Sequence, residues 1–198
     1  MTSLAPDTAR TLWRAFLTNA TDLVDDARLL NSHGVYARSR ALLVMAWCEI
    51  GRAMTLGAIF RETWSSHGTT SLPIDEDLMT DEAALTRYCR DYVVGDAAER
   101  YWGIAKHQQE DAQKLDAAAH SEACAALDLR RWAMRVTMDA TTRSVRIPSH
   151  LFHEDADTEV RHTAEAIALT MLNDDVAGPQ VAKTNLVGLP LPHLDEDD

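Results

Sequence analysis

Hydrophobic residues in the first part of the chain recur every three or four positions, which is the spacing of one face of an α-helix. Pro6 and Asp7 suit the first turn of such a helix, and the turn-forming residues at 31–34 end it. Its apolar positions are Ala9, Trp13, Phe16, Ala20, Leu23, Ala27 and Leu30. This pattern predicts an amphipathic helix that packs a single stripe against a partner.

The next segment, residues 36–64, has two apolar stripes. The first contains Leu43, Trp47, Ile50, Met54, Gly57 and Trp64, and the second contains Leu42, Met45, Ala53 and Leu56. A helix that is apolar on two faces is usually central to a bundle. Glu49 interrupts the second stripe, and a buried carboxylate is costly unless a partner compensates for its charge.

The remaining pattern predicts further helices and few strands. The predicted helices span about 81–94, 96–119, 121–138 and 154–173. Residues 65–77 form a polar connection with glycine and proline, and the Thr, Val and Ile of 139–152 favour extended chain. We therefore expect an all-α fold, an antiparallel helical bundle with a short irregular or hairpin segment before the last helix.

The chain of 198 residues is long enough for one hydrophobic core. We expect a single helical domain over residues 1–176 and a mobile tail rich in proline and acidic residues over 177–198, because the tail has no hydrophobic periodicity. No apolar run approaches the ~20 residues of a membrane-spanning helix, and the first residues lack a signal-peptide pattern. We expect no membrane association.

Charge and cysteine content bear on nucleic-acid binding and on the cellular compartment. The net charge of −12 disfavours broad non-specific attraction to nucleic acid, although residues 128–146 carry several arginines, which we interpret as a solvated basic face. The three cysteines are odd in number and widely spaced, which favours reduced thiols in the cytoplasm.

Neither a metal nor a cofactor is expected. His120 and Cys124 form one pair a helical turn apart, whereas a structural zinc ion requires four ligands. His150 and His153 precede Glu154, but this short group near a loop is typical of polar surface. The sequence also lacks a glycine-rich phosphate loop and a nucleophile elbow.

Two interpretations of Glu49 remain open. Arg52 lies three residues further along the same helix, and Asn19 on the preceding helix can reach Glu49 if the two helices are antiparallel. In the first interpretation, these three side chains form a polar cluster that fixes the register of the helices. In the second, Glu49 lines a functional cleft together with His107.

These residues also carry a resemblance to a known family. The run Asn19-Ala20, Asp26-Ala27, Gly34, Tyr36-Ala37-Arg38, Glu49 and Gly51-Arg52 resembles the AbiV family of abortive-infection proteins. The likeness extends more loosely over residues 15–172, and it aligns His107 with a histidine of a later family helix. Cys48 stands where the family usually has Glu, Arg52 where it has Lys, and Gln108 where it has Lys.

The resemblance implies a helical fold of the HEPN class. Members of that class pair into dimers, and many are metal-independent ribonucleases, whereas others act only by binding partners. It therefore implies an anti-phage effector that arrests growth or translation. Two activities follow as alternatives: RNA cleavage by a homodimer, or a non-catalytic regulator that senses a phage or host protein.

HEPN ribonucleases place an Arg before a His with four to six residues between them, which on a helix puts both side chains on roughly one side. Pairs of this kind here are Arg28/His33, Arg61/His67, Arg100/His107, Arg143/His150 and Arg146/His153. The spacing alone therefore does not identify a site, but only Arg100/His107 lies in a predicted long helix and matches the family position. We expect His107 to act as acid and base, and Arg100 or Arg52 to stabilise the phosphate.

Overall fold

The computed structural model of the chain describes residues 2–95, 112–138, 141–152 and 154–172. The helices are α1 (Pro6–Ser32), α2 (Tyr36–Ser65), α3 (Asp81–Tyr88), α4 (Ala112–Met134), α5 (Pro148–Leu151) and α6 (Asp157–Met171). The strands are β1 (Thr2–Leu4), β2 (Leu72–Ile74), β3 (Thr137–Met138) and β4 (Val145–Arg146). A 3₁₀ turn at Glu76–Met79 precedes α3, and a π-helical turn at Cys89–Val93 follows it. The predicted all-α bundle is confirmed.

Helices α1 and α2 form an antiparallel hairpin that supplies much of the core. The turn between them contains Gly34 with φ of +73°, a left-handed conformation that glycine adopts without strain. The predicted stripe of α1 is correct at Ala9, Trp13, Ala20 and Ala27, which are buried. Phe16 and Leu23 are partly buried and also pack against the core, whereas Leu17 and Val24, which the predicted stripe omits, are fully buried.

Helix α2 is central, as its two apolar stripes predict. It packs against α1, α3, α4, α5 and α6. Among the described residues, α2 is the one helix that is long and apolar enough to cross a membrane. A helix buried in a protein core can have the same length and composition. The sides of α2 are covered by the neighbouring helices, and only Met45 among its large apolar side chains is classed as exposed.

Helices α2 and α3 cross at very short range. A Cβ atom added at Gly51 would lie 1.9 Å from the backbone oxygen of Ala84, far inside van der Waals contact. Gly51 therefore allows the two backbones to touch, because any side chain there would separate them. This crossing brings the N-terminus of α3 beside the middle of α2.

Helix α6 is fastened to the bundle at its start and near its middle. At its start, the buried Asn31 accepts a hydrogen bond from the Ala156 backbone N–H at 2.8 Å and donates to Asp157 at 2.5 Å. Near its middle, the Trp47 indole donates to Thr163 at 2.8 Å. The two contacts tie α6 to both helices of the α1–α2 hairpin.

The connections between the helices agree with the sequence prediction in one place and differ from it in two. The hairpin before the last helix is present as β3 and β4. The polar connection at 65–77 contains an unpredicted strand, since β2 pairs with β1. The predicted break between helices near 120 is wrong, because α4 runs through it without interruption. Residues 96–111 of the helix predicted over 96–119 and the tail predicted at 177–198 lie outside the described residues.

Candidate functional site: a charged cluster joining three helices

A cluster of four charged side chains lies where α2, α3 and α4 meet. Helix α2 supplies Glu49 and Arg52, α3 supplies Asp81, and α4 supplies Arg130. Asp81 is the first residue of α3, and Thr80 caps that helix by accepting a hydrogen bond from the Ala83 N–H. A carboxylate in this first turn is favoured by the helix dipole.

Arg52 is the centre of this charged cluster. Its Nη1 donates to Glu49 Oε1 at 3.0 Å, its Nη2 donates to Asp81 Oδ1, and its Nε donates to the Met79 carbonyl at 3.0 Å. The Asn19 side chain donates a hydrogen bond to Glu49 from the neighbouring helix. All three guanidinium nitrogens of Arg52 therefore have acceptors within the chain.

Asp81 connects the second arginine. Arg130 Nη2 donates to Asp81 Oδ2 at 2.9 Å, while Arg52 binds the other oxygen of the same carboxylate. The Arg52 side chain is 17% exposed and the Arg130 side chain 30% exposed, so water competes only partly for these bonds. One carboxylate thus joins α2 to α4 through the start of α3.

The pKa values of Glu49 and Asp81 are shifted in opposite directions by their surroundings. Burial raises the pKa of Glu49 above 4.5, and the bonds from Arg52 and Asn19 only partly offset it. Burial alone would also raise the pKa of Asp81, but Arg130 and Arg52 together hold it below 3.8. Asp81 is therefore the firmly ionised member of the cluster.

The arrangement is built to hold helices together. Arg52 meets two carboxylates and a carbonyl, so binding a substrate phosphate would require breaking contacts that already satisfy its nitrogens. Arg130 is less fully used, and it lines an open groove of about 600 Å³ with Arg131 and Arg135. Asp81 and Glu82 also line this groove, so three arginines and two acids meet directly beside the cluster.

The structure brings together three of the five predicted site residues, Asn19, Glu49 and Arg52. Arg100 and His107 lie outside the described residues. The residue patterns of the sequence do not point to Asp81 or Arg130. Asp81 is only the start of the helix predicted over 81–94, and Arg130 was included in a solvated basic face, whereas the structure pairs the two side chains.

Two other Arg/His pairs lie wholly within the described helices and turns, and neither forms an Arg–His contact. Arg28 binds Asp25 at 2.8 Å, while the His33 ring nitrogen Nδ1 lies 2.8 Å from the Leu29 carbonyl oxygen. Arg61 lies on α2, while His67 occupies the following turn with φ of +54°. These histidines lie in or beside turns at helix ends.

His120 has Cys124 and Glu82 as neighbours that could also bind a metal ion. Its Nε2 lies 3.7 Å from Cys124 Sγ, and its Nδ1 lies 3.7 Å from Glu82 Oε1. The two contacts use opposite nitrogens of the same imidazole ring, so Cys124 and Glu82 cannot share one ion through His120, and a structural zinc ion requires four ligands. Among the described residues, no group of three or more His, Cys, Asp or Glu side chains is placed to hold a metal ion.

The chain matches a known protein family over most of its length. A family model described as AbiV matches residues 8–168, which is most of the chain and includes the whole charged cluster. No curated protein and no solved structure matches.

Proposed function

The chain belongs to the AbiV family of HEPN proteins, and we propose that it is a cytoplasmic abortive-infection effector that cleaves RNA as a homodimer. The match over residues 8–168 is the observation that carries this proposal. The family supports abortive-infection defence, in which an infected cell stops growing before phage is released. RNA cleavage is the activity by which a HEPN protein can arrest translation without a metal.

In the proposed reaction, His107 exchanges protons with the ribose 2′-hydroxyl and the leaving oxygen, because imidazole titrates near neutral pH. Arg100 stabilises the negative charge that develops on the phosphate. We assign this role to Arg100 and not to Arg52, because Arg52 already binds Glu49, Asp81 and the Met79 carbonyl. The second subunit contributes a second copy of this pair to a shared cleft.

The test is cleavage of total bacterial RNA in excess chelator by the wild type, His107→Ala and Arg100→Ala. His33→Ala is the matched control, because His33 is exposed at the end of α1. We expect cleavage by the wild type and the control only, and a wild-type dimer in sedimentation. Cleavage by all variants would reject the assigned residues, and a folded, dimeric wild type that leaves RNA intact would reject the ribonuclease.

A second candidate, a protein-binding regulator, is favoured by an apolar surface around the β3–β4 hairpin. Its exposed side chains are Val35, Trp132, Met134, Val136, Met138, Val145 and Ile147. Beside them is a cavity of about 470 Å³ lined in part by Ala133 and Phe152. Clustered exposed apolar residues mark protein-binding surfaces more often than isolated ones do.

If the protein is a protein-binding regulator, protection of cells from phage should depend on this apolar surface. Val136→Glu should abolish protection without lowering the melting temperature, because Val136 is 66% exposed. Leu29→Glu is the control, since Leu29 is 58% exposed on α1. Equal protection by both variants would reject the regulator, whereas loss with Val136→Glu alone, in a protein without ribonuclease activity, would support it over the ribonuclease.

A further inference from the structure

A small basic cavity lies at the end of the bundle where α2 finishes. Its volume is about 150 Å³, and it is bounded by α1, α2, the α3 segment with its π-helical turn, and α6. Its charged lining residues are Arg10, Arg61, Arg87 and Asp91. It is separate from the charged cluster, since the two have no residue in common.

The cavity carries an excess of positive charge in an acidic protein. Three guanidinium groups face one carboxylate, whereas the whole chain has a net charge of −12. Within the lining, Arg87 Nη2 and Asp91 Oδ2 form a long ion pair at 3.6 Å. A local concentration of cations against the overall charge is unfavourable unless an anion compensates for it.

Arg87 supplies an independent observation. Its Nε is buried, and it has no hydrogen-bond partner among the residues that the structure describes. Buried N–H groups in folded proteins almost always have an acceptor, so such an atom needs an explanation. An anion in the cavity that Arg87 lines would provide that acceptor.

The shape of the cavity limits the size of the anion. The Trp64 ring, which forms part of the wall, is covered by the Arg10 guanidinium at 5.3 Å and stacks on Phe60 at 5.8 Å between centroids. Trp64 is therefore already stacked and is not available to a nucleobase. The remaining space suits a compact group with several acceptor oxygens.

We propose that this cavity binds a phosphate group, either as free phosphate or as the phosphate of a mononucleotide whose base stays outside. Guanidinium groups bind phosphate oxygens through paired, charge-assisted hydrogen bonds, which explains three arginines around one small space. The exposed position of Arg61 places it at the entrance, and Arg87 lies deeper. This site does not depend on His107 or on RNA cleavage.

The experiment measures binding of inorganic phosphate by calorimetry and by the shift in melting temperature, against chloride at equal ionic strength. We expect saturable binding by the wild type and roughly ten-fold weaker binding by Arg61→Gln, because one charge-assisted contact is lost. Arg38→Gln is the control, since Arg38 is exposed near the opposite end of α2. Arg61 is exposed, so its variant is expected to fold.

A second arm uses adenosine monophosphate in place of phosphate. Binding of both assigns the site to a mononucleotide, whereas binding of phosphate alone assigns it to the free anion. A folded wild type that binds neither above the chloride baseline would overturn the proposal. Equal binding by Arg61→Gln and Arg38→Gln would also overturn it, because phosphate would then bind elsewhere.

Discussion

Arg52 and Asp81 bind each other across the contact between α2 and α3, although 29 residues separate them in the sequence. The second oxygen of Asp81 binds Arg130, so a single carboxylate joins three helices. The close approach of Gly51 to Ala84 places the two backbones at the distance that this bond requires. The charged cluster therefore acts as a clamp on the relative positions of α2, α3 and α4.

Arg52→Ala should lower the free energy of unfolding by about 2 kcal/mol, because it leaves Glu49 and Asp81 without their shared cation in a partly buried site. The measurement is urea denaturation at neutral pH. Arg131→Ala is the control, and it should change stability by less than about 0.5 kcal/mol because its pair with Asp128 is exposed. Equal effects of the two variants would contradict the clamp.

The raised pKa of Glu49 gives stability a characteristic pH dependence. Above pH 4.5 the unfolded chain releases this proton while the folded chain still holds it, so the Glu49 contribution to stability falls as pH rises through that window. Glu49→Gln removes this titration. The free energy of unfolding of the wild type relative to Glu49→Gln should therefore decline from pH 4.5 upward until Glu49 is ionised in the folded state.

The contribution of Asp81 to stability should change with pH in the opposite direction to that of Glu49. Its pKa is below 3.8 when folded, so its stabilising contribution is present above pH 3.8 and is lost as pH falls toward the folded pKa. Asp81→Asn should flatten the acid side of the stability curve, which denaturation between pH 2 and pH 5 would measure. A wild-type slope that persists in Asp81→Asn would assign acid sensitivity to other carboxylates.

Gly51→Ala should destabilise the protein by about 3 kcal/mol or more, because the added methyl group would lie 1.9 Å from the Ala84 oxygen. Gly57 lies on the same helix, and a Cβ there would meet its nearest atom, Trp13 Nε1, at 3.6 Å. Gly57→Ala should therefore be neutral or stabilising by about 0.5–1 kcal/mol. Thermal unfolding of the two variants tests both expectations. Similar melting temperatures would contradict the close contact between α2 and α3 at Gly51.

The cysteines should differ sharply in reactivity. Burial raises the pKa of Cys48 to about 11 and that of Cys89 to about 12, whereas Cys124 is exposed on α4. Since the thiolate is the reactive form, iodoacetamide at pH 8 should add one group per native chain, at Cys124. Peptide mass spectrometry locates the adduct, and comparable labelling of Cys48 before unfolding would contradict its burial.

Much of the helical framework could be predicted from the sequence, because helical periodicity is a local property. The spacing of apolar residues located α1 and α2 to within a few residues, and the double stripe identified α2 as central. The contact between Glu49 and Arg52 was also predictable, since residues three apart lie on one side of a helix. The matching of family residues added the expectation of abortive-infection defence.

The sequence by itself thus determined the helices, the short-range contacts within them and the family. Only the tertiary structure decided that Asp81 and Arg130 complete the charged cluster, that β1 pairs with β2, and that three arginines surround one cavity. These contacts join residues far apart in the chain, and they depend on how closely and at what angle the helices cross. That geometry arises from the packing of all the helices together, so it cannot be predicted from a local pattern of residues.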